Sequence, residues 1–109
     1  MTSTEPKSVR HQTTVHTDKG KTVVVYYKTA VVTFNDKEII LNTGGWWTSS
    51  TQDRMNWASK NFDLNYRIQR KGKAWYVNYQ DKQQAFDAEK IRLDRETGEV
   101  TPVKATDKN

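Results

Sequence analysis

The chain has no cysteine, and that absence excludes disulfide bridges, thiolate zinc sites and a cysteine nucleophile together. It also lacks any apolar run that approaches the roughly 20 residues of a membrane-spanning helix. Glu5 and other polar residues stand at the N-terminus, where a signal peptide would need an apolar segment. These features predict a soluble protein of the cytoplasm with no membrane partner.

Residues suited to catalysis or metal binding are also scarce. The 2 histidines, His11 and His16, lie with Asp18 in an N-terminal arm where we expect nothing to hold an imidazole against a partner. The carboxylates are scattered, and no phosphate-loop, nucleophile-elbow or metalloprotease pattern occurs. We therefore expect no catalytic residue, no metal site and no cofactor, and hence a protein that is not an enzyme.

Apolar residues are few but concentrated in one part of the chain. They make up 34% of the 109 residues, and most of them fall between Val23 and Leu93. The ends hold too few aliphatic side chains to offset the entropy lost on ordering them. The pattern predicts a disordered basic arm at 1–21, a single α+β domain at 22–103 and a disordered tail at 104–109.

Three β-rich segments come first in that domain. They are "TVVVYYK" from Thr22, "AVVTF" from Ala30 and "EIIL" from Glu38, and the last two flank a turn-forming Asn-Asp-Lys. We interpret them as three antiparallel strands. Consecutive apolar residues in the later two indicate strands that are covered on both faces or central in the sheet.

A helix is predicted from about Thr51 to Asn61. Ser50 can cap it, and Asp53 can complete a capping box. Three apolar residues fall on one face of this helix and three polar residues face away, with Trp57 at the border. The apolar residues are Met55, Ala58 and Phe62, and the polar ones are Arg54, Asn56 and Lys60.

A hairpin follows, because Leu64 to Arg70 and Ala74 to Tyr79 both alternate between apolar and polar residues. With Lys71 and Gly72 as its loop, Ile68 would lie opposite Trp75. A last strand near Lys90 to Leu93 completes an α+β fold. We expect an antiparallel β-sheet of about five to six strands, in the order β-β-β-α-β-β-β, with one helix packed across a face.

The segment "NTGGWWTSST", residues 42–51, admits two interpretations. The glycines can supply positive φ for a tight chain reversal, with one hydroxyl capping the helix. Alternatively, backbone N–H groups and hydroxyls at the helix start form an anion pocket. Because adjacent side chains of an extended segment point in opposite directions, we expect Trp46 or Trp47 to be exposed. The candidate partner or anion-binding residues are Trp46, Trp47, Thr48, Ser49 and Trp57.

Positive charge gathers in one block of the chain. Residues 54–80 carry six basic side chains and one acidic side chain, out of a net charge of +5 for the whole chain. Cations for phosphates and flat rings for bases are what nucleic-acid surfaces use. The candidate nucleic-acid-binding residues are Arg54, Lys60, Arg67, Arg70, Lys71, Lys73 and Tyr76. Basic residues on a hairpin can also serve only to prevent edge-to-edge aggregation.

Between "VVTFNDKEII" and the later "AWYV" strand, the chain resembles small tailed-bacteriophage proteins of unknown function. The resemblance rests on an L-N-[ST]-G-G-W-x-T corner, a Thr/Ser-rich helix start and R-M-N, and it covers about Tyr26 to Tyr79. It transfers no catalytic residue. It implies a phage accessory protein of the host bacterial cytoplasm, where host takeover and anti-defence roles are common.

The sequence thus favours a non-catalytic phage accessory protein that binds nucleic acid, DNA or RNA, through a basic hairpin and aromatic residues. A second hypothesis is a protein inhibitor of a host enzyme or defence complex, anchored by an exposed tryptophan, whose partner could be an acidic host protein. A third is a structural or assembly role in the virion. The oligomeric state is left open.

Overall fold

The computed structural model of the chain describes residues 7–10 and 12–103. Within these residues the chain forms ten β-strands and one α-helix. Their bounds are β1 Lys7–Arg10, β2 Thr13–Asp18, β3 Lys21–Tyr26, β4 Thr29–Phe34, β5 Glu38–Asn42, α1 Ser49–Asn61, β6 Tyr66–Lys71, β7 Ala74–Tyr79, β8 Lys82–Ala85, β9 Lys90–Asp94 and β10 Val100–Val103.

The α+β class predicted from the sequence is confirmed, but the described residues contain more strands than expected. They form two antiparallel sheets instead of one. Part of the difference is β8, which lies in the polar stretch from Gln80 to Glu89. This stretch is compatible with a helix by composition, and it becomes a strand because β7 offers it an edge to pair with.

The larger sheet has the strand order β1-β2-β3-β4-β5-β9-β10. Its first five strands follow one another as hairpins, and β9 then returns to pair with β5, so that Ile39 lies opposite Leu93. In β4 the adjacent Val31 and Val32 are both buried. Both faces of this strand are therefore covered, as its consecutive apolar residues predicted.

The smaller sheet consists of β6, β7 and β8. Its first hairpin has Gly72 and Lys73 in the loop, not Lys71 and Gly72, so Ile68 lies opposite Val77. Gly72 occupies the first loop position with φ +65°, which suits the mirror-image turns of two-residue hairpins. The observed partner of each β6 residue is two positions further along β7 than predicted. Because side chains alternate with a period of two, a shift of two residues leaves every side chain on its predicted face.

The helix is confirmed over Ser49–Asn61, although its cap is not Ser50. Thr48 is the N-cap, and its hydroxyl accepts a hydrogen bond from the Thr51 amide at 3.2 Å. Asp53 does not complete a capping box, because its carboxylate pairs with Arg54. Within the described ranges, no helix has the length and apolar character needed to cross a membrane.

Side chains of the helix satisfy the backbone at the free edge of β6. Asn56 donates to the Ile68 carbonyl at 3.0 Å and accepts from the Ile68 amide at 2.8 Å. Ser59 does the same for Tyr66, at 2.7 and 3.0 Å, and Gln52 also donates to the Ile68 carbonyl. These residues lie at i, i+4 and i+7 and therefore form one row along the helix. The row substitutes for a neighbouring strand and protects an edge that would otherwise be open.

An adjoining face of the helix is buried in a core that both sheets share. Met55 and Ala58 are fully buried, as the predicted stripe requires, while Phe62 packs against the core and is only partly buried. The Tyr66 hydroxyl donates to the Met55 carbonyl at 2.6 Å, and burial raises its pKa well above the ordinary value. The helix is therefore held to the smaller sheet by hydrogen bonds and to both sheets by apolar contacts.

Two expectations about Arg54 and the N-terminal arm are wrong. Residues 7–10 and 13–18 are strands, so the folded region begins no later than Lys7. Arg54 does not face solvent but is 8% exposed, with its guanidinium 2.9 Å from the Thr13 hydroxyl and 4.7 Å above the Tyr26 ring. Composition missed β2 because the apolar residues of its pairing partner, β3, lie outside the predicted arm. Residues 1–6 and 11, and the predicted tail at 104–109, lie outside the described residues.

The hydrogen bonds of Asn56 give a stability prediction. Replacing Asn56 by alanine leaves the Ile68 amide without its acceptor, which should lower the free energy of unfolding by about 1–3 kcal/mol. Asn61→Ala is the matched control, since the Asn61 amide donates to the Trp57 carbonyl of its own helix in an exposed hydrogen bond. Urea unfolding followed by circular dichroism measures both variants, and equal losses would contradict a special role for Asn56.

Candidate functional site

One face of the smaller sheet is open to solvent, and we call it the outer face. Its positions alternate with buried residues such as Tyr66, Ile68 and Val77, whose side chains point to the core. None of its eight positions is buried. They are Arg67, Gln69 and Lys71 of β6, Ala74, Tyr76 and Asn78 of β7, and Gln83 and Ala85 of β8.

Three amide side chains form a hydrogen-bonded network across the outer face. Asn78 donates to Gln69 at 2.6 Å, and Gln83 donates to Asn78 at 2.9 Å. Beside them, the Lys71 ammonium lies 5.4 Å from the centre of the Tyr76 ring. The amides are thus held in place next to one ring and one cation, and their remaining donors and acceptors face solvent.

Positive charge is concentrated in this sheet. Residues 66–85 contain five basic side chains and one acidic side chain, Asp81. In the part of the chain that the structure describes, no ion pair involves Arg67, Arg70, Lys71 or Lys73. The larger sheet differs, since Glu38 pairs with both Arg92 and Lys21 there. Its hydrogen bond to Arg92, at 2.6 Å, raises the pKa of that guanidinium.

The predicted cations do not all share this face. Arg67 and Lys71 lie on it with Tyr76, and Lys73 is in the adjoining loop. Arg70 alternates with Arg67 and Lys71 along β6, so its side chain points to the inner side of the sheet. Its guanidinium lies 5.7 Å from the centre of the Trp75 ring. Lys60 is exposed in the last turn of α1, which packs along the edge and inner side of the sheet. Only part of the predicted patch is therefore a single surface.

The glycine–tryptophan corner is a chain reversal, as one interpretation of the sequence proposed. Gly44 and Gly45 both have positive φ, at +63° and +86°. The Gly44 amide bonds to the Asn42 side chain at 2.9 Å, and the Gly45 amide bonds to the Thr43 hydroxyl at 3.1 Å. These side-chain contacts fix the turn that leads from β5 into the helix.

The two adjacent tryptophans diverge, which confirms that at least one of them is exposed. Trp46 is 64% exposed. Trp47 is 37% exposed and packs edge-on against Trp75 and Phe86 of the smaller sheet and its C-terminal end, with ring centroids 5.1 and 5.4 Å away. Trp57 is partly buried against the core and contacts Phe62. Trp46 is thus the most accessible of these three rings.

A pocket of about 610 Å³ lies beside this corner, between the β3–β4 turn and the start of α1. Buried Val31, Thr43 and Thr51 form its inner part, and the exposed Tyr27 and Trp46 stand at its rim. It is also lined by Tyr26, Lys28, Thr29, Thr48 and Ser50. Ser49, the other predicted residue of the helix start, is exposed but does not line it.

Sequence reasoning missed the amides of the outer face and the tyrosines of the pocket. Gln83 was missed because β8 was not recognised as a strand. Tyr26 and Tyr27 carried a usable signal as an adjacent aromatic pair. Tyr27 follows the end of β3, and the two rings lie together with centroids 4.7 Å apart. Nothing local places Tyr27 beside Trp46, because the β3–β4 turn and the corner are brought together only by the sheet.

The sequence of the chain matches a known protein family. A family model described as Kyanoviridae Gp96 protein, a phage protein family, matches residues 2–94. The match supports the resemblance to tailed-phage proteins and does not test the L-N-[ST]-G-G-W-x-T motif itself. No curated protein and no solved structure matches the chain.

The two glycines of the corner should differ in their tolerance of alanine. Both substitutions place a side chain at positive φ, which costs roughly 1–2 kcal/mol. At Gly44 a Cβ would also lie 2.8 Å from Cγ2 and 2.9 Å from Oγ1 of Thr29, whereas at Gly45 it meets nothing within 4 Å. Rotating Thr29 leaves at least one of these atoms in the way. Gly44→Ala should therefore cost about 1–3 kcal/mol more than Gly45→Ala, as overpacking does.

Thermal and urea unfolding of both variants test this expectation. Adding Thr29→Ala should recover much of the excess cost of Gly44→Ala, because both clashing atoms are removed. If the two single variants are equally stable, the close approach at Gly44 does not constrain the corner.

Proposed function

The chain belongs to the Kyanoviridae Gp96 protein family, and we propose that it is a non-catalytic phage accessory protein that binds single-stranded nucleic acid. The proposed interface is the outer face of the smaller sheet, extended by Lys73 of its loop. The observation that carries the proposal is a solvent-facing row of cations, amides and one ring on a rigid sheet.

Charge supports a polyanionic partner. The five basic side chains and one acidic side chain of residues 66–85 account for most of the net charge of +5. Cations that are not paired within the protein can replace the counterions that phosphates condense, and counterion release favours binding. Arg67, Lys71 and Lys73 are exposed and have no carboxylate partner among the described residues.

The other side chains of the outer face favour a single strand over a duplex. Tyr76 can stack only on a base that is not already stacked within a helix. Gln69, Asn78 and Gln83 offer amide donors and acceptors, which match the base edges that unpaired nucleotides expose. Their mutual hydrogen bonds reduce the entropy lost on binding, because the side chains are already ordered.

We also propose the host bacterial cytoplasm as the place of action, where phage and host nucleic acids are both present. Membership of a phage protein family is compatible with this location. Inhibition of a host protein and a structural role in the virion stay predictions. Both would use protein contacts, which depend on salt much less than phosphate contacts do.

Charge reversal on the outer face tests the proposal. Arg67→Glu with Lys71→Glu should abolish the fluorescence-anisotropy signal with a labelled single-stranded oligonucleotide. For the wild type, about three phosphate contacts predict a log–log salt slope near −2 on a single strand. Lys37→Glu with Lys90→Glu changes the net charge equally on the larger sheet and should retain most of the binding. Equal loss in both double variants would mean that net charge, not this surface, is responsible.

Stacking on Tyr76 gives a second prediction. Tyr76→Ala should weaken binding by about 1–3 kcal/mol, while Tyr76→Phe should retain most of the affinity because the ring remains. Circular dichroism verifies that both variants fold. Tight binding by Tyr76→Ala at wild-type affinity would exclude a stacking role for this ring.

A further inference from the structure

The pocket beside the corner is separate from the outer face and has a different composition. Its volume of about 610 Å³ falls within the range of about 300–1,000 Å³ that is typical of ligand sites. Aromatic side chains from two distant parts of the chain meet there: Tyr26 and Tyr27 from the end of β3, and Trp46 from the corner. The two tyrosine rings contact each other, with centroids 4.7 Å apart. Flat rings that line one pocket suit a flat ligand.

Tyr27 is held in an unfavourable backbone conformation. Tyr26 pairs with Thr29, so Tyr27 and Lys28 form a two-residue turn, and Tyr27 has φ +59°. Glycine is the favoured residue at such a position, and a bulky side chain there is uncommon. The Tyr27 ring is nevertheless 59% exposed, so burial in the core does not compensate for the strain. Of the seven non-glycine residues with positive φ in the described ranges, Tyr27 is the only aromatic one. Strained residues occur often at ligand sites.

Polar groups around the rings point to the chemistry of the ligand. Lys28 is exposed at the mouth of the pocket, and no ion pair of Lys28 occurs among the described residues. Ser50, in the first turn of α1, also lines the pocket, and its hydroxyl has no hydrogen-bond partner within the described ranges. A cation, a hydroxyl and the positive end of a helix together favour an anionic group.

We propose that this pocket binds a nucleotide, with the base between Tyr27 and Trp46 and the phosphate beside Lys28 and the start of α1. The ligand can be a free mononucleotide or one nucleotide of a strand, since both present a base and a phosphate. The proposal does not depend on the outer face, because the pocket uses different residues.

Titration with AMP, GMP, CMP and UMP, followed by isothermal calorimetry and by the indole N–H signal of Trp46 in NMR spectra, tests the pocket directly. At least one mononucleotide should bind and shift the Trp46 signal. Adenosine and ribose 5-phosphate each retain half of the ligand, and each should bind more weakly than AMP. The proposal is overturned if none of the four mononucleotides and no oligonucleotide changes the Trp46 signal. The exposed rings would then be candidates for contact with a protein partner.

The Tyr27→Gly variant tests whether the Tyr27 ring contributes to nucleotide binding without being needed for folding. The substitution suits the positive φ of the turn, so the midpoint of unfolding should stay the same or rise. Nucleotide affinity should fall about tenfold or more, because one stacking surface is lost. A variant that binds nucleotides as tightly as the wild type would overturn the placement of the base.

Lys28→Glu tests the phosphate end. It should weaken AMP binding about tenfold or more and leave adenosine binding unchanged, because only the phosphate contacts the cation. Lys37→Glu, in the exposed β4–β5 turn, makes the same charge change away from the pocket and should affect neither ligand. Equal weakening of AMP by both variants would contradict a phosphate site at Lys28.

Two combined results distinguish this proposal from the function of the outer face. In the first result, no mononucleotide binds, but an oligonucleotide binds the wild type. Its affinity is lost in the Arg67→Glu, Lys71→Glu double variant and retained in Tyr27→Gly. The pocket proposal is then wrong and the outer-face proposal is supported. If mononucleotides bind at Trp46 but oligonucleotides do not bind, the pocket is a site for free nucleotides and the outer-face proposal is wrong.

Discussion

The hydrogen bonds from Asn56 and Ser59 to the edge of β6 are the contacts on which the rest of the molecule depends. The smaller sheet does not pair with the larger one, so without these contacts it would have one more open edge. Side chains at helical spacing take the place of a strand, while Met55 and Ala58 on another face of the helix enter the shared core. One helix thereby fixes the position of both sheets.

This arrangement determines which surfaces remain available. The inner side of the smaller sheet is occupied by the core and the edge of β6 by the helix, so its outer face is left to solvent. The cations of that face have no carboxylate partners among the described residues, whereas Arg92 on the larger sheet is paired with Glu38. A set of exposed, unpaired cations on a rigid surface is suited to a polyanion, and this is why we favour nucleic acid over an aggregation-blocking role.

The beginning of the same helix shapes the pocket. Thr48 caps the helix, and the preceding glycines turn the chain so that Trp46 faces solvent while Trp47 packs on Trp75. Across the opening stands Tyr27, in a backbone conformation that tyrosine rarely adopts. The Tyr27 amide donates to the Gln12 carbonyl and its ring packs on Tyr26, which leaves part of the ring exposed. Binding of a flat ligand would give that exposed ring a function.

The sequence by itself determined the features that depend on neighbours along the chain. These are the α+β class, the helix from about Thr51 to Asn61, the two faces of the β6–β7 hairpin and the exposure of at least one tryptophan of the pair. Local periodicity and turn chemistry are sufficient for such features. Only the tertiary structure decided that β2 pairs with β3, that Arg54 is buried and bonded to Thr13, and that Tyr27 and Trp46 line one pocket. Each of these depends on a partner far away in sequence, and no local pattern records which distant segment will supply it.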